Sequence, residues 1–72
     1  MLKKYFKLPR KNIAPVQFII EGYEEMATVT TIDPRAAIIQ ISIMPDFISD
    51  MTDIIEHLKD KYKMEEINLP VT

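Results

Sequence analysis

Six residues, Ile38-Ile39-Gln40-Ile41-Ser42-Ile43, constrain the fold more than any other stretch. Isoleucine at 39, 41 and 43 alternates with Gln40 and Ser42, the period of an extended strand with one packed face and one at least partly wet. Ahead of it, Asp33-Pro34-Arg35-Ala36 fits a type I turn with proline at its second position. Ala27 to Ile32, rich in threonine and valine, reads as the other arm of a hairpin whose second strand spans Ala37 to Met44. Pro45 stops the run. So dense a set of isoleucines belongs at the centre of a sheet, with Ile39, Ile41 and Ile43 buried and Gln40 and Ser42 looking out from the opposite face.

The flanking segments supply two helices and two more strands. Lys3 to Leu8 alternates, with Phe6 and Leu8 on one side and Tyr5 and Lys7 on the other, which predicts a first strand ended by Pro9. Asn12 is the expected N-cap of a first helix, with Pro15 inside its first turn and Ile13, Val16, Ile20 and Tyr23 on one face. That helix is expected to tolerate Gly22 and to end near Glu24 to Met26. Asp46 is the expected cap of a second helix reaching about Lys63, with Phe47, Met51, Ile54, Ile55, Leu58 and Tyr62 as its buried stripe. Glu65 to Leu69 reads as a short last strand with Ile67 and Leu69 inward, closed by Pro70. With right-handed crossovers, the order β-α-β-β-α-β predicts an α+β fold of the ferredoxin-like plait type. It has a four-stranded antiparallel sheet of order 4-1-3-2 with both helices on one face.

Composition then limits the function. In 72 residues there is no cysteine, which removes disulfides, thiolate metal sites and a cysteine nucleophile. A chain this short buries only about 60% of its unfolded surface, so residues 1–72 are read as one domain. Lys3 and Lys4 are followed by no apolar run long enough for a signal sequence, and nothing approaches the roughly 20 apolar residues of a membrane span. A cytoplasmic, membrane-free protein is expected. Nine basic and eleven acidic side chains give a net charge of −2, the wrong sign for a protein whose affinity comes from phosphates. With one glycine there is no phosphate-cradling loop, and Gln40 and Ser42 stand where an RNA-binding plait would need stacking rings. A nucleic-acid partner is therefore the third choice.

His57 is the only histidine and lies off the buried stripe near Asp53, the position of a solvated helix residue. The acidic residues fall on expected surface, so neither a catalytic dyad nor a metal site is assembled, and the chain is read as a non-enzyme without cofactor. Charge placement says more. In the plait, Arg10, Lys11, Arg35, Lys61 and Lys63 gather at one end, whereas Glu21, Glu24, Glu25, Asp46, Asp50 and Asp53 gather at the other. Asp33, Asp60, Glu65 and Glu66 dilute the first group, and Lys3 and Lys4 the second. Arg10, Lys11, Asn12 and Arg35 are the candidate site for a small anionic ligand or an acidic partner group at the start of the first helix. Phe18 lies opposite Val16 and Ile20 and must point outward, and with Ile32, Ile38 and Met44 it is the candidate interface for another subunit or a protein partner.

The first strand leading into Asn12-Ile13-Ala14, the Phe18-Ile19-Ile20-Glu21-Gly22-Tyr23-Glu24 segment and Thr31-Ile32-Asp33-Pro34 together resemble a bacterial family known as domain of unknown function 4911. The resemblance covers most of the chain and supports the element map, but it implies no activity. A looser likeness is to ACT-type regulatory plaits, which hold ligands near the first strand-helix loop, usually at a subunit interface. The function so expected is a self-associating ligand-binding or regulatory module. The alternative is an accessory domain that docks through the open sheet face.

Overall fold

In the computed structural model, which describes residues 1–68, the alternating isoleucine run forms the strand β3 (Ile38–Ile43). It is flanked by β1 (Leu2–Lys7) and β2 (Ala27–Asp33), and β4 (Glu65–Ile67) adds to the other side of β1. All pairings are antiparallel and the order is β2-β3-β1-β4, which is 4-1-3-2 when counted from the β4 edge. The helices are α1 (Ile13–Glu21) and α2 (Ile48–Tyr62), each entered through a single 3-10 turn, Arg10–Asn12 and Pro45–Phe47. The readings of Leu69 as inward and Pro70 as the closing residue lie outside the described residues.

Cross-strand pairs share a face, so the register sorts the sheet. Phe6 stands opposite Ile39, and Val29 opposite Ile41, on the face that Val16 and Ile20 of α1 and Met51, Ile55 and Leu58 of α2 cover. Ile39, Ile41 and Ile43 of β3 and Phe6 are fully buried there, and Leu8, Ala27 and Met64 complete the cluster. Lys4 also belongs to this face by register, and its ammonium reaches Glu66 on β4 at 3.7 Å. Both side chains are substantially exposed, so the pair adds little stability.

The opposite face departs from expectation in two ways. Ser42 is on that face but only 6% exposed, because Lys3 and Thr28 flank it on the neighbouring strands and Gln40 donates from Nε2 to its Oγ at 3.2 Å. Ile67 was expected inward, yet it pairs with Tyr5 and so sits on the open face, half-buried. A three-residue strand has too little alternation to fix its own face, and pairing with β1 decides it.

Helix ends follow local chemistry, with three corrections to the sequence reading. First, α1 stops at Glu21, with Gly22 at its C-cap in right-handed geometry, so Tyr23 lies past the helix and is 37% exposed rather than buried. The last turn tightens as the Gly22 and Tyr23 amides donate to the Ile19 and Ile20 carbonyls, and the Met26 and Ala27 amides both turn back to Tyr23 O. Glycine costs about 1 kcal/mol in a helix relative to alanine, and Glu21, Glu24 and Glu25 oppose the negative end of the dipole. Second, Asn12 makes no capping bond at the start of α1. Third, neither does any side chain at the start of α2, where Phe47 rather than Asp46 holds the cap position.

The hairpin carries a β-bulge, since Thr31 pairs with Ile39 and Asp33 with Ile38, leaving Ile32 as the extra residue. Asp33 Oδ1 then accepts from the Arg35 and Ala36 amides at 2.9 and 3.1 Å, an aspartate turn of the kind the Asp-Pro sequence favours. Ala37 closes the loop with φ 57°, and its carbonyl accepts from the Leu8 amide at 3.2 Å. Among the described residues no helix is long and apolar enough to cross a membrane.

Candidate functional site

Three of the four residues proposed to hold an anion meet at one end of the molecule. The Arg10 guanidinium donates from Nη2 to the Arg35 carbonyl at 3.0 Å, and the Asn12 amide donates from Nδ2 to the Tyr62 carbonyl at 3.0 Å. Tyr62 is the last residue of α2, so Asn12 satisfies one of the carbonyls that every helix leaves open at its C-terminus. These bonds tie the entrance of α1 to the hairpin loop and to the end of α2. Lys11 is exposed beside them. The corner is thus a structural junction in which two of the four side chains already donate to the protein's own backbone.

The proposed interface residues do not form one patch. Phe18 is on the outer surface of the helix layer and is 79% exposed. Ile38 is on the far side of the sheet, in register with Lys7. Ile32 sits in the bulge at the end of β2, while Met44 lies at the other end of the hairpin, where its amide donates to the Met26 carbonyl. About six residues of strand, or roughly 20 Å, separate those two.

A different set of neighbours surrounds Phe18. Between the helices runs a groove of about 340 Å³, with Ile19 and Tyr23 from the α1 side facing Ile54 and Leu58 of α2. Asp53, His57 and Lys61, all exposed, form its polar rim. A shallower depression of about 600 Å³ continues from Ile19 and Tyr23 to Phe18 and Glu21. The groove follows from side-chain direction. Val16 and Ile20 point α1 at the sheet and Met51, Ile55 and Leu58 do the same for α2, which leaves Ile19 and Ile54 half-buried on the facing flanks. Among the described residues no three histidine, aspartate or glutamate side chains cluster to hold a metal. Nor is any buried side-chain nitrogen or oxygen there without a partner. Apolar contact with a polar border is what this surface offers.

Residues 6–61 match the protein family described as Domain of unknown function (DUF4911). The chain belongs to that family. No curated protein and no solved structure matches it. The DUF4911 match starts in β1 and ends at Lys61, so it takes in both walls of the groove and the Arg10–Arg35 corner but leaves β4 outside.

Tyr23, Ile54 and His57 were not singled out as site residues from the sequence. The usable signal was on α2, where six apolar positions from Phe47 to Tyr62 make a stripe wider than one sheet contact needs. Asp53, His57 and Lys61 recur at four-residue spacing along its margin, which aligns them on one flank.

Proposed function

We propose that this DUF4911 chain is a non-catalytic protein-interaction module, a ferredoxin-like plait acting in the cytoplasm, whose working surface is the outer side of its helix layer. The observation that carries the reading is Phe18. It is a phenylalanine left 79% exposed beside an apolar groove, while the other two phenylalanines of the chain are fully buried or packed on the core. An exposed aromatic continuous with an apolar depression and rimmed by charge has the composition of a docking patch. Binding of a small anion at Arg10, Lys11, Asn12 and Arg35 is the weaker reading, because Arg10 and Asn12 spend donors inside the fold.

A second docking reading rests on the open sheet face, where Tyr5, Ile38 and Ile67 are half-buried. Lys3, Lys7, Thr28 and Thr30 stand among them, so that face is the more polar of the two. A nucleic-acid partner is disfavoured by the net charge of −2. A photo-reactive phenylalanine analogue placed in cells at position 18, and in a second strain at Gln40, tests the choice of surface. Adducts from position 18 are expected. Adducts from position 40 alone overturn the helix-layer reading.

A further inference from the structure

Resting on that reading, the partner itself can be argued from how charge is laid out along the helix layer. Asn12, before α1, bonds to Tyr62 at the end of α2, and α1 and α2 follow the antiparallel strands β1 and β3, each leading back to a strand parallel to the one it left. The two helices therefore run antiparallel. Arg10 and Lys11 consequently lie at the same end as Lys61 and Lys63, where these four cations outweigh Asp60 on the helix layer, while Glu21, Glu24 and Glu25 lie with Asp50 and Asp53 at the other. All these side chains are exposed, and Phe18 stands between the two groups.

We propose that the partner is a second copy of this chain, docked helix layer to helix layer across a two-fold axis that lies in the interface beside Phe18 and runs across the helices. Such an axis reverses the helix direction, so the basic end of each copy, at Lys11 and Lys61, faces the acidic end of the other, at Glu21 and Asp53. An axis running along the helices would set like charges against each other, and electrostatics selects between the two arrangements. Phe18 of each copy then enters the other copy's apolar depression, the buried aromatic anchor that dominates such interfaces. Size permits it. The molecule measures 31 × 30 × 17 Å, and its broad face can supply the about 800 Å² per partner of an ordinary specific interface.

Sedimentation equilibrium of the full chain, from micromolar to millimolar, is expected to show a dimer that weakens with added salt. Phe18→Ser should weaken it at least about tenfold. Two charge-reversed variants give the sharper test, Lys11→Glu with Lys61→Glu, and Glu21→Lys with Asp53→Lys. Each alone should be monomeric, and an equimolar mixture should form the mixed dimer, because positions 11 and 61 of one variant then face side chains of opposite sign at positions 21 and 53 of the other. Amide shifts of the unmodified chain on dilution supply a readout that needs no variant, and they should move in α1 and α2. A monomer at every concentration overturns this proposal yet leaves the helix-layer reading to its own cross-linking test. A dimer indifferent to Phe18→Ser, or variants that fail to recover on mixing, also overturns it. Dilution shifts confined to Lys3, Thr28 and Gln40 overturn both.

Discussion

Asn12 shows how much depends on which atom of a side chain is used. As a helix cap it would accept a hydrogen bond, and aspartate would serve as well. Instead it donates across 50 residues of sequence to the Tyr62 carbonyl. Asn12→Ala is therefore expected to cost about 1 kcal/mol. Asn12→Asp should cost more, because a carboxylate then faces a carbonyl at the negative end of α2. Each kcal/mol lowers the melting temperature of a domain this size by about 4–8 °C, so thermal denaturation of the two variants resolves their order. Equal stability of Asn12→Asp and the unmodified chain would restore the capping role. Two residues with nearly the same positive φ make a second comparison, Ala37 at 57° and Lys63 at 55°. Lys63 is exposed at the C-terminal cap of α2, so Lys63→Gly should stabilise by about 0.5–1 kcal/mol. Ala37 is buried, so Ala37→Gly gains the same relief but loses about 0.8 kcal/mol of methyl burial and comes out near neutral. A β-branched residue there has no compensation, and Ala37→Val should cost about 1–3 kcal/mol by chemical denaturation.

Among the elements, β3 was the most legible and β4 the least. Six residues of alternation are enough to commit Ile39, Ile41 and Ile43 to one face, and the pairing with Phe6 and Val29 keeps them there. Three residues are not enough for β4, which is why Ile67 is found beside Tyr5 on the open face. Stability should follow that difference. Ile41→Ala leaves a cavity in the middle of the sheet and is expected to cost about 2–5 kcal/mol, against a total of about 4–11 kcal/mol for a chain of this length. Ile67→Ala, at a half-buried site on an edge, should cost about 1 kcal/mol or less. Urea titrations that place the two variants at the same midpoint would contradict the register. The end of α1 was misplaced for a different reason. The apolar spacing continues to Tyr23, but Gly22 and the acidic run from Glu21 to Glu25 weigh against helix there, and such terminal effects are small beside periodicity until no packing contact opposes them.

At the scale of the whole molecule, two layers of helix and sheet leave two broad faces that differ in chemistry. One presents Lys3, Lys7, Thr28, Thr30 and Gln40, and the other presents Phe18 beside a groove between α1 and α2. If the helix layer pairs with a second copy, folding and association are linked, and the melting temperature should rise with protein concentration. Phe18→Ser should abolish that rise while leaving the far-ultraviolet circular dichroism unchanged, since the ring touches solvent over most of its surface. A concentration-independent melting temperature in the unmodified chain would count against the pairing.

By itself the sequence determined the element order, the hairpin at Asp33-Pro34, the buried face of β3 and the outward direction of Phe18. All of these depend on spacings of two to four residues that a chain carries locally. Only the tertiary structure decided that Asn12 donates rather than caps, that Ser42 is covered, that Ile67 faces outward and that Phe18 stands apart from Ile32, Ile38 and Met44. Each of those depends on a neighbour distant in sequence: the end of α2, the strands flanking β3, the pairing of β4 with β1, and the thickness of the sheet between two faces. The groove is of the same kind. Ile19 and Ile54 look like margins of two separate stripes until the helices lie side by side, and they then become its walls.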